Sequence, residues 1–273
     1  MYRITANQIK NLRKKTGSGI MDCKKALIES KGDFQKAIEI LRINGKQIAL
    51  SLSHRETNEG VLIAKVNREE TQGVIIGLSC ETDFVAQNSD FIQLANKFAE
   101  IAISCINKDD LLNKFIGNLP IKEKLIEQTG VIGEKIDLCF FEKLSASFVS
   151  FYVHNGNKIA SLVGLSSAPK GVQEVAKNLA MQVAAMNPIA LNKKKLSPEI
   201  LHKEKEIAKE QSRKEGKPEN MIEKISQGKL NKFLAENLLL DQKFIKNNKL
   251  SVIEYVKKFN SNIQITDYKR LSF

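Results

Sequence analysis

The spacing of apolar residues over roughly the first 45 positions predicts three short helices. Ile9 and Leu12 share one face of the first helix, which the glycines of Thr16-Gly17-Ser18-Gly19 end. A second helix follows at once. Asp33 is a good N-cap for the third helix, and we expect Gly45 to follow its end. Three helices of this length bury little apolar area, so the unit is marginal alone.

Two later segments have the same pattern of two strands followed by a helix. The paired strands and the helix of each segment are, in chain order, 60–66, 73–79 and about 90–103, then 147–154, 158–166 and about 171–186. Both hairpins end in Gly-Leu-Ser, and the second contains the Asn155-Gly156 turn signal. The pattern predicts an internal duplication and the α+β class: two subdomains, each with a small antiparallel sheet and packed helices.

The two copies differ in the segment between hairpin and helix. The first carries Thr82-Asp83-Phe84-Val85, whereas the second has Ser167-Ala168-Pro169. Phe84 stands among turn and cap residues rather than in a periodic apolar run. Taken alone, this pattern leaves two interpretations equally open: an exposed contact residue, or a Phe that folds back onto its own core.

The chain after Pro198 is charged and helical, turns at Glu215-Gly216-Lys217-Pro218, and returns as a second helix. Few apolar residues mark these helices, as is typical of a protruding antiparallel hairpin, although a solvated face on a packed helix pair fits equally well. Another helix is expected from about Val252 to Phe259. The β-like residues 263–265 could return to the second sheet.

We therefore predict five parts of the chain. They are a three-helix module at 1–46, a linker at 47–59, a first core subdomain at 60–140, a second at 141–197 and 227–273, and a helical hairpin at 198–226.

Composition points to an acidic partner. The 43 Lys and Arg residues exceed the 31 Asp and Glu residues, which gives a formal charge of +12 at pH 7. The basic residues mostly alternate with Glu, and no basic strand carries interleaved aromatics, so direct RNA binding is not expected. We expect a cytoplasmic protein, because no signal peptide and no apolar run of about 20 residues stands out.

The sequence contains no pattern typical of catalysis. No nucleophile with a base, phosphate-binding loop or acidic metal cluster stands out, and the four cysteines lie far apart, which favours reduced thiols. We expect no enzyme activity, no cofactor and no bound metal. His154, beside the Asn155-Gly156 turn, is either a contact residue or a solvated turn histidine.

Three motifs resemble the bacterial translation elongation factor Ts family. They are the run from Leu12 to Leu27 followed by Gly32-Asp33, the segment Thr82-Asp83-Phe84-Val85-Ala86, and Glu215-Gly216-Lys217-Pro218. The resemblance covers essentially the whole chain in the family's order. It implies a guanine-nucleotide exchange factor that binds elongation factor Tu, both with GDP and without nucleotide, and has no nucleotide site or membrane contact of its own.

The resemblance also implies structures and contact residues. The N-terminal helices should form a ubiquitin-associated-like (UBA-like) module, and the hairpin a coiled coil. Thr82, Asp83, Phe84 and Val85 match the segment associated with dislodging magnesium from the partner. Further contact residues carried over are Arg13, Met21 and Lys24 in the module and His154 in the core. The chain departs from the family at Ile20, where many members have Met, and at residues 47–54, which lack a basic run.

Two other functions remain open at this point. The charge of +12 fits a basic RNA-binding or ribosome-associated protein, whose binding would depend steeply on salt. A UBA-type adaptor that acts only as a scaffold would bind without regard to its partner's nucleotide state.

Overall fold

Helices and small antiparallel sheets alternate along the chain in a computed structural model that describes residues 4–273. The helices are α1 (Ala6–Thr16), α2 (Ile20–Glu29), α3 (Phe34–Leu52), α4 (Asp83–Ala86), α5 (Ser89–Ala102), α6 (Lys108–Asn113), α7 (Ile121–Ile132), α8 (Val172–Met186), α9 (Pro198–Lys214), α10 (Glu219–Asn237) and α11 (Val252–Phe259). The strands are β1 (Glu59–Val66), β2 (Gln72–Cys80), β3 (Phe115–Ile116), β4 (Leu119–Pro120), β5 (Asp137–Ser145), β6 (Phe148–Val153), β7 (Ile159–Leu165), β8 (Lys243–Phe244), β9 (Asn247–Ser251) and β10 (Ile265–Ser272). The predicted α+β class is confirmed.

Two three-stranded sheets repeat one topology. Their strand orders are β1-β2-β5 and β6-β7-β10, and all pairs are antiparallel. In each sheet a hairpin is followed by a helix, and a later strand returns to pair with the second strand of the hairpin. The predicted return of the C-terminal segment to the second sheet is confirmed by β10, which begins at Ile265, the last of the predicted residues 263–265. Strand β5 was not predicted.

The sheets pack face to face between helices. Alternate residues of β1 point to opposite faces of the first sheet. Val61 and Ile63 face the helices. Leu62 and Ala64 belong to a core between the sheets that also contains Val149 and Leu162 of the second sheet. α5 and α7 cover the first sheet, and α8 covers the second. This packing leaves the ends of the strands free to carry exposed turns.

Helices α1, α2 and α3 enclose a small core of their own around Leu12, Cys23 and Leu27. The prediction that Gly45 follows the end of α3 is wrong, because the helix continues to Leu52. The reason is a tertiary contact. Gly45 lies against Gly130 of α7, where the two backbones approach too closely for a side chain on Gly130.

Secondary structure crosses four of the predicted domain boundaries, at one of them by a single residue, since β1 begins at Glu59, the last residue of the predicted linker. Helix α3 occupies residues 47–52 of the predicted linker, β5 spans the boundary at 140, and α10 continues past residue 226. Residues 1–3 of the first predicted unit lie outside the described residues. The division into parts stays a prediction, and boundaries that respect the elements lie near residues 53, 146 and 238.

Helices α9 and α10 run side by side and are joined by ion pairs. Lys205 pairs with Glu223 at 2.7 Å and Lys229 with Glu215 at 2.7 Å. Near the core, Leu230 and Leu234 of α10 pack against Leu196 and neighbouring residues. No helix among residues 4–273 is long and apolar enough to cross a membrane.

Candidate partner-binding site

Residues 82–86 form a helical turn that buries one side and exposes the other. Thr82 is the N-cap of α4, and its Oγ1 accepts a hydrogen bond from the Val85 amide at 3.4 Å. Val85 packs against the core of the first sheet and Ala86 is buried in it. Phe84 points the other way and is 83% exposed. Of the two interpretations of Phe84, the structure excludes the one in which the side chain folds back onto the core.

Glu134, which follows α7 in the chain, holds this turn in place through its side chain. Its carboxylate accepts hydrogen bonds from the backbone amides of Glu81 and Thr82, each at 3.0 Å, and from the Thr82 hydroxyl at 2.6 Å. Glu134 lies just after α7, whose C-cap is Gly133 in the left-handed conformation. Because an ionised acceptor makes strong hydrogen bonds, three of them fix the path of the chain that enters α4.

A second carboxylate makes the reciprocal contact. Glu81 accepts a hydrogen bond from the Lys135 amide at 2.8 Å and forms an ion pair with Arg55 at 3.0 Å. The Lys135 amide, followed by the Arg55 guanidinium, holds the pKa of the Glu81 carboxyl below its ordinary value of 4.5. The two carboxylates therefore tie the end of β2 to the end of α7.

Cys80, the last residue of β2, is a buried thiol that donates to the Thr82 carbonyl oxygen at 3.2 Å. Burial, and then the nearby Glu134 carboxylate, raise the pKa of Cys80 to about 12. The thiol is therefore protonated at neutral pH and is a poor nucleophile.

The side chain of Asp83 makes no hydrogen bond or ion pair within residues 4–273 and is exposed. It stands beside Phe84 at the start of α4, so one turn presents a carboxylate and an aromatic ring together. An exposed aromatic with an adjacent charge is suited to binding another protein, because the ring gains by burial and the charge directs the contact.

The predicted contact residues of the N-terminal unit are also on its surface. Arg13 and Lys24 are exposed, and Met21 is 59% exposed beside exposed Ile20. The unit is strongly basic, with eleven Lys and Arg residues against four Asp and Glu residues over positions 4–55. Much of the chain's excess positive charge therefore lies in this unit.

His154 lies on the turn between β6 and β7, where its Nδ1 is 3.0 Å from the Tyr152 hydroxyl. The next residues of that turn contact the start of β1: the Leu62 amide donates to the Asn157 carbonyl, and Lys158 pairs with Glu59. Glu59 is paired with Cys80 across the sheet. The structure thus brings His154 and Phe84 to the same end of the two sheets.

Sequence reasoning missed Glu134 and Arg55. Glu134 stands alone in the run Val131-Ile132-Gly133-Glu134-Lys135, which has no local pattern that marks a ligand for a distant turn. The apolar and aromatic run Leu138-Cys139-Phe140-Phe141 could have indicated β5 as a short strand. The contacts that Glu134 and Arg55 make with Glu81 could not have been found from local sequence.

Comparison with known proteins identifies the family. A family model described as Elongation factor TS matches residues 81–273. The chain is also 51% identical to Elongation factor Ts of Christiangramia forsetii over 272 residues, which cover 100% of this chain and 99% of that protein. The chain belongs to the elongation factor Ts family. Elongation factor Ts of Flavobacterium psychrophilum is 50% identical, with coverage of 99% and 98%, and that of Amoebophilus asiaticus is 45% identical, with 98% of each chain covered.

Membership of the elongation factor Ts family gives the chain a role in the elongation stage of translation. The family match begins at Glu81, so it includes the turn that carries Phe84 and the Glu134 carboxylate that holds it. The three-helix unit precedes the residues of this match, but it is aligned with the full-length relatives together with the rest of the chain.

Proposed function

We propose that the chain is a guanine-nucleotide exchange factor for elongation factor Tu. In this proposal it binds elongation factor Tu with GDP, disturbs the magnesium and phosphate site, and promotes GDP release and GTP loading. It acts by binding and performs no covalent chemistry of its own. The observation that carries the proposal is Phe84, a large apolar side chain that is 83% exposed on a turn fixed to the core.

The proposal requires Phe84 to act on the partner. A phenylalanine that enters an apolar pocket gains about 2–3 kcal/mol. If that pocket opens only when the partner's nucleotide site is distorted, the gain favours the nucleotide-free form. By thermodynamic reciprocity, GDP then weakens the binding of this chain by the same factor as the chain weakens the binding of GDP.

Asp83 has a supporting role in the proposal. Its carboxylate would accept a hydrogen bond from a backbone amide or a basic group of the partner and so orient the Phe84 turn. Magnesium would leave indirectly, through movement of the partner's own ligands, because a tight magnesium site needs several oxygen ligands and Asp83 offers one side chain. Thr82 and Val85 complete the site by holding the turn on the core.

The N-terminal unit would dock on the same partner. Its exposed Arg13, Met21 and Lys24 combine charge with an apolar contact, and the basic excess would speed association with an acidic surface. We propose that this unit is UBA-like and that α9 and α10 act as a coiled coil in the complex. His154, at the same end of the sheets as Phe84, is a further proposed contact.

The test is release of fluorescent GDP from purified elongation factor Tu. The wild-type chain should accelerate release, and Phe84→Ala should reduce that acceleration by about 30-fold or more, which corresponds to about 2 kcal/mol. The melting temperature should stay the same, because Phe84 packs on none of its own core.

Phe115→Ala is the matched control. Phe115 is also exposed, at 65%, but it lies at the opposite end of α7 from Glu134, and this helix of 12 residues is about 18 Å long. It should retain the acceleration. No acceleration by the wild-type chain would overturn the exchange proposal, and equal losses in both variants would remove Phe84 from the mechanism.

A further inference from the structure

The last turn of α7 contacts two separate parts of the molecule. Gly130 lies against Gly45 of α3, and Val131 faces Gly17 in the turn between α1 and α2. Only a few residues further on, Glu134 accepts the three hydrogen bonds from Glu81 and Thr82. One short segment therefore supports both the N-terminal unit and the turn of Phe84.

The segment itself is held firmly. The Thr129 hydroxyl donates to the Leu125 carbonyl at 3.0 Å and accepts from the Ile136 amide at 3.2 Å. Thr129 and Ile136 are both buried, and the chain between them reverses at Gly133. Residues 129–136 thus form a corner, which we call the α7 corner, closed by the hydrogen bond between Thr129 and Ile136. This bond would resist a movement of the end of α7 relative to the chain that leads into β5.

We propose that the α7 corner, residues 129–136, sets the spacing between the two partner-binding surfaces, with Gly130 and Glu134 as positioning residues. Gly130 permits the backbone contact that seats the N-terminal unit, and Glu134 seats the turn of Phe84. Neither residue needs to touch the partner. The inference rests on the proposed function for its biological use, but the spacing itself is a property of the free chain.

The glycine contact is asymmetric, which makes the proposal specific. A Cβ atom on Gly130 would overlap the Gly45 backbone, closer than real Cβ atoms approach. A Cβ atom on Gly45 would lie 3.7 Å from the Gly130 Cα, an ordinary contact. Gly130→Ala should therefore push α3 away from α7, whereas Gly45→Ala should leave the crossing in place.

The spacing matters because the two surfaces act on one partner. When two binding surfaces are linked, the second contact forms at an effective concentration that depends on the geometry of the link. If the link has the wrong length or direction, the effective concentration of the second contact falls, although each binding surface is itself unchanged. A displaced N-terminal unit should thus weaken binding while leaving Phe84 able to act at saturation.

The first experiment measures the distance in the free chain. Spin labels are placed on exposed positions with Gln35→Cys on α3 and Gln173→Cys on α8, and pulsed electron resonance reports the distance distribution. The native cysteines are buried or half-buried, and a chain without the added cysteines measures background labelling. Gly130→Ala should shift or broaden the distribution by on the order of 2 Å.

Two controls match this variant. Gly45→Ala places the same substitution on the other helix of the crossing, and Gly228→Ala places it in α10, where a Cβ would meet nothing within 4 Å outside its own helix. Neither should change the distribution. An unchanged distribution in Gly130→Ala would overturn the proposal. Should that variant fail to fold, Gly45→Val adds bulk to the crossing from the other side, and an unchanged distribution there would overturn it equally.

A second measurement tests Glu134. Both amides donate to the same oxygen of Glu134, so Glu134→Ala removes the acceptor of both, and the amides of Glu81 and Thr82 should exchange hydrogen about tenfold faster. Unchanged exchange would show that Glu134 does not position the turn.

GDP release from elongation factor Tu then separates this inference from the proposed function. Gly130→Ala should raise about tenfold the concentration of this chain that gives half-maximal acceleration, with a smaller change in the maximal rate. Gly45→Ala should change neither quantity. If the wild-type chain gives no acceleration, the exchange function fails while the distance data still decide the spacing. A fall in the maximal rate alone would contradict the positioning role.

Discussion

The two joints between hairpin and helix share one kind of support but differ in what they expose to solvent. In both copies the chain that enters the third strand holds the joint. Glu134 precedes β5 and binds the first joint, whereas the backbone of Gln264 precedes β10 and exchanges hydrogen bonds with Ser166 in the second. The shared part is therefore the support of the joint by the returning strand.

The difference lies in what each joint exposes. The first joint adds a helical turn, α4, that buries Ala86 and presents Phe84 to solvent. The second joint reaches α8 through Ser167-Ala168-Pro169 without an aromatic residue. A joint of the second kind is sufficient to connect a strand to a helix, so connection alone does not require the additional turn of the first joint.

The largest difference in stability should come from the alanine of each joint. Ala86→Asp would place a carboxylate in the first core and should lower the free energy of unfolding by about 3 kcal/mol or more. Ala168 is exposed, so Ala168→Asp should change it by less than about 0.5 kcal/mol. Urea unfolding measures both. Equal effects would mean that α4 is not anchored in the core.

The next effect compares the two supports. Glu134→Ala removes the acceptor of three hydrogen bonds and leaves partly buried amides unpaired, which should cost about 1–3 kcal/mol. Gln264→Ala should cost much less, because Gln264 supports its joint through backbone atoms. Urea unfolding of the two variants gives the comparison, and a larger loss in Gln264→Ala would reverse our account of the supports.

Most of the scaffold could be predicted from local sequence. The hairpins and the helices that follow them have clear periodicity, and α11 was predicted within the bounds that the structure has. The end of α3 was not, because Gly45 reads locally as a helix stop but serves a contact with Gly130, far along the chain. Local signals cannot distinguish a glycine that ends a helix from one that lets two helices touch.

The candidate site was predicted in part. Phe84 stood out because polar turn residues surround it, and the structure confirms that it is exposed. Glu134 was missed because its partners, Glu81 and Thr82, are brought to it by the pairing of β2 with β5. A single carboxylate that binds backbone amides across such a distance leaves no motif, so only the three-dimensional contact identifies it.

A smaller difference in stability should separate the substitutions of Thr82 and Ser167, the hydroxyl residues of the two joints. Thr82→Ala removes the N-cap of α4 and the hydroxyl bonded to Glu134, and should cost about 1 kcal/mol. Ser167 makes no side-chain hydrogen bond within residues 4–273, so Ser167→Ala should change stability by less than about 0.5 kcal/mol. Thermal unfolding under matched conditions tests the pair. Thr82→Ser should retain most of the stability if the hydroxyl is what matters.

The smallest effect is the dependence of the first joint on pH. The pKa of Glu81 lies below its ordinary value of 4.5, so the stability it contributes is present above that value and is lost as the pH falls through the lowered one. Below pH 4.5 the Lys135 amide, which donates to Glu81, should become less protected from exchange relative to the Ser166 amide, which donates to a carbonyl. Glu81→Gln should remove this relative change. If both amides lose protection together in the wild-type chain, the acid response belongs to the whole fold, and the carboxylates that distinguish the first joint do not control it.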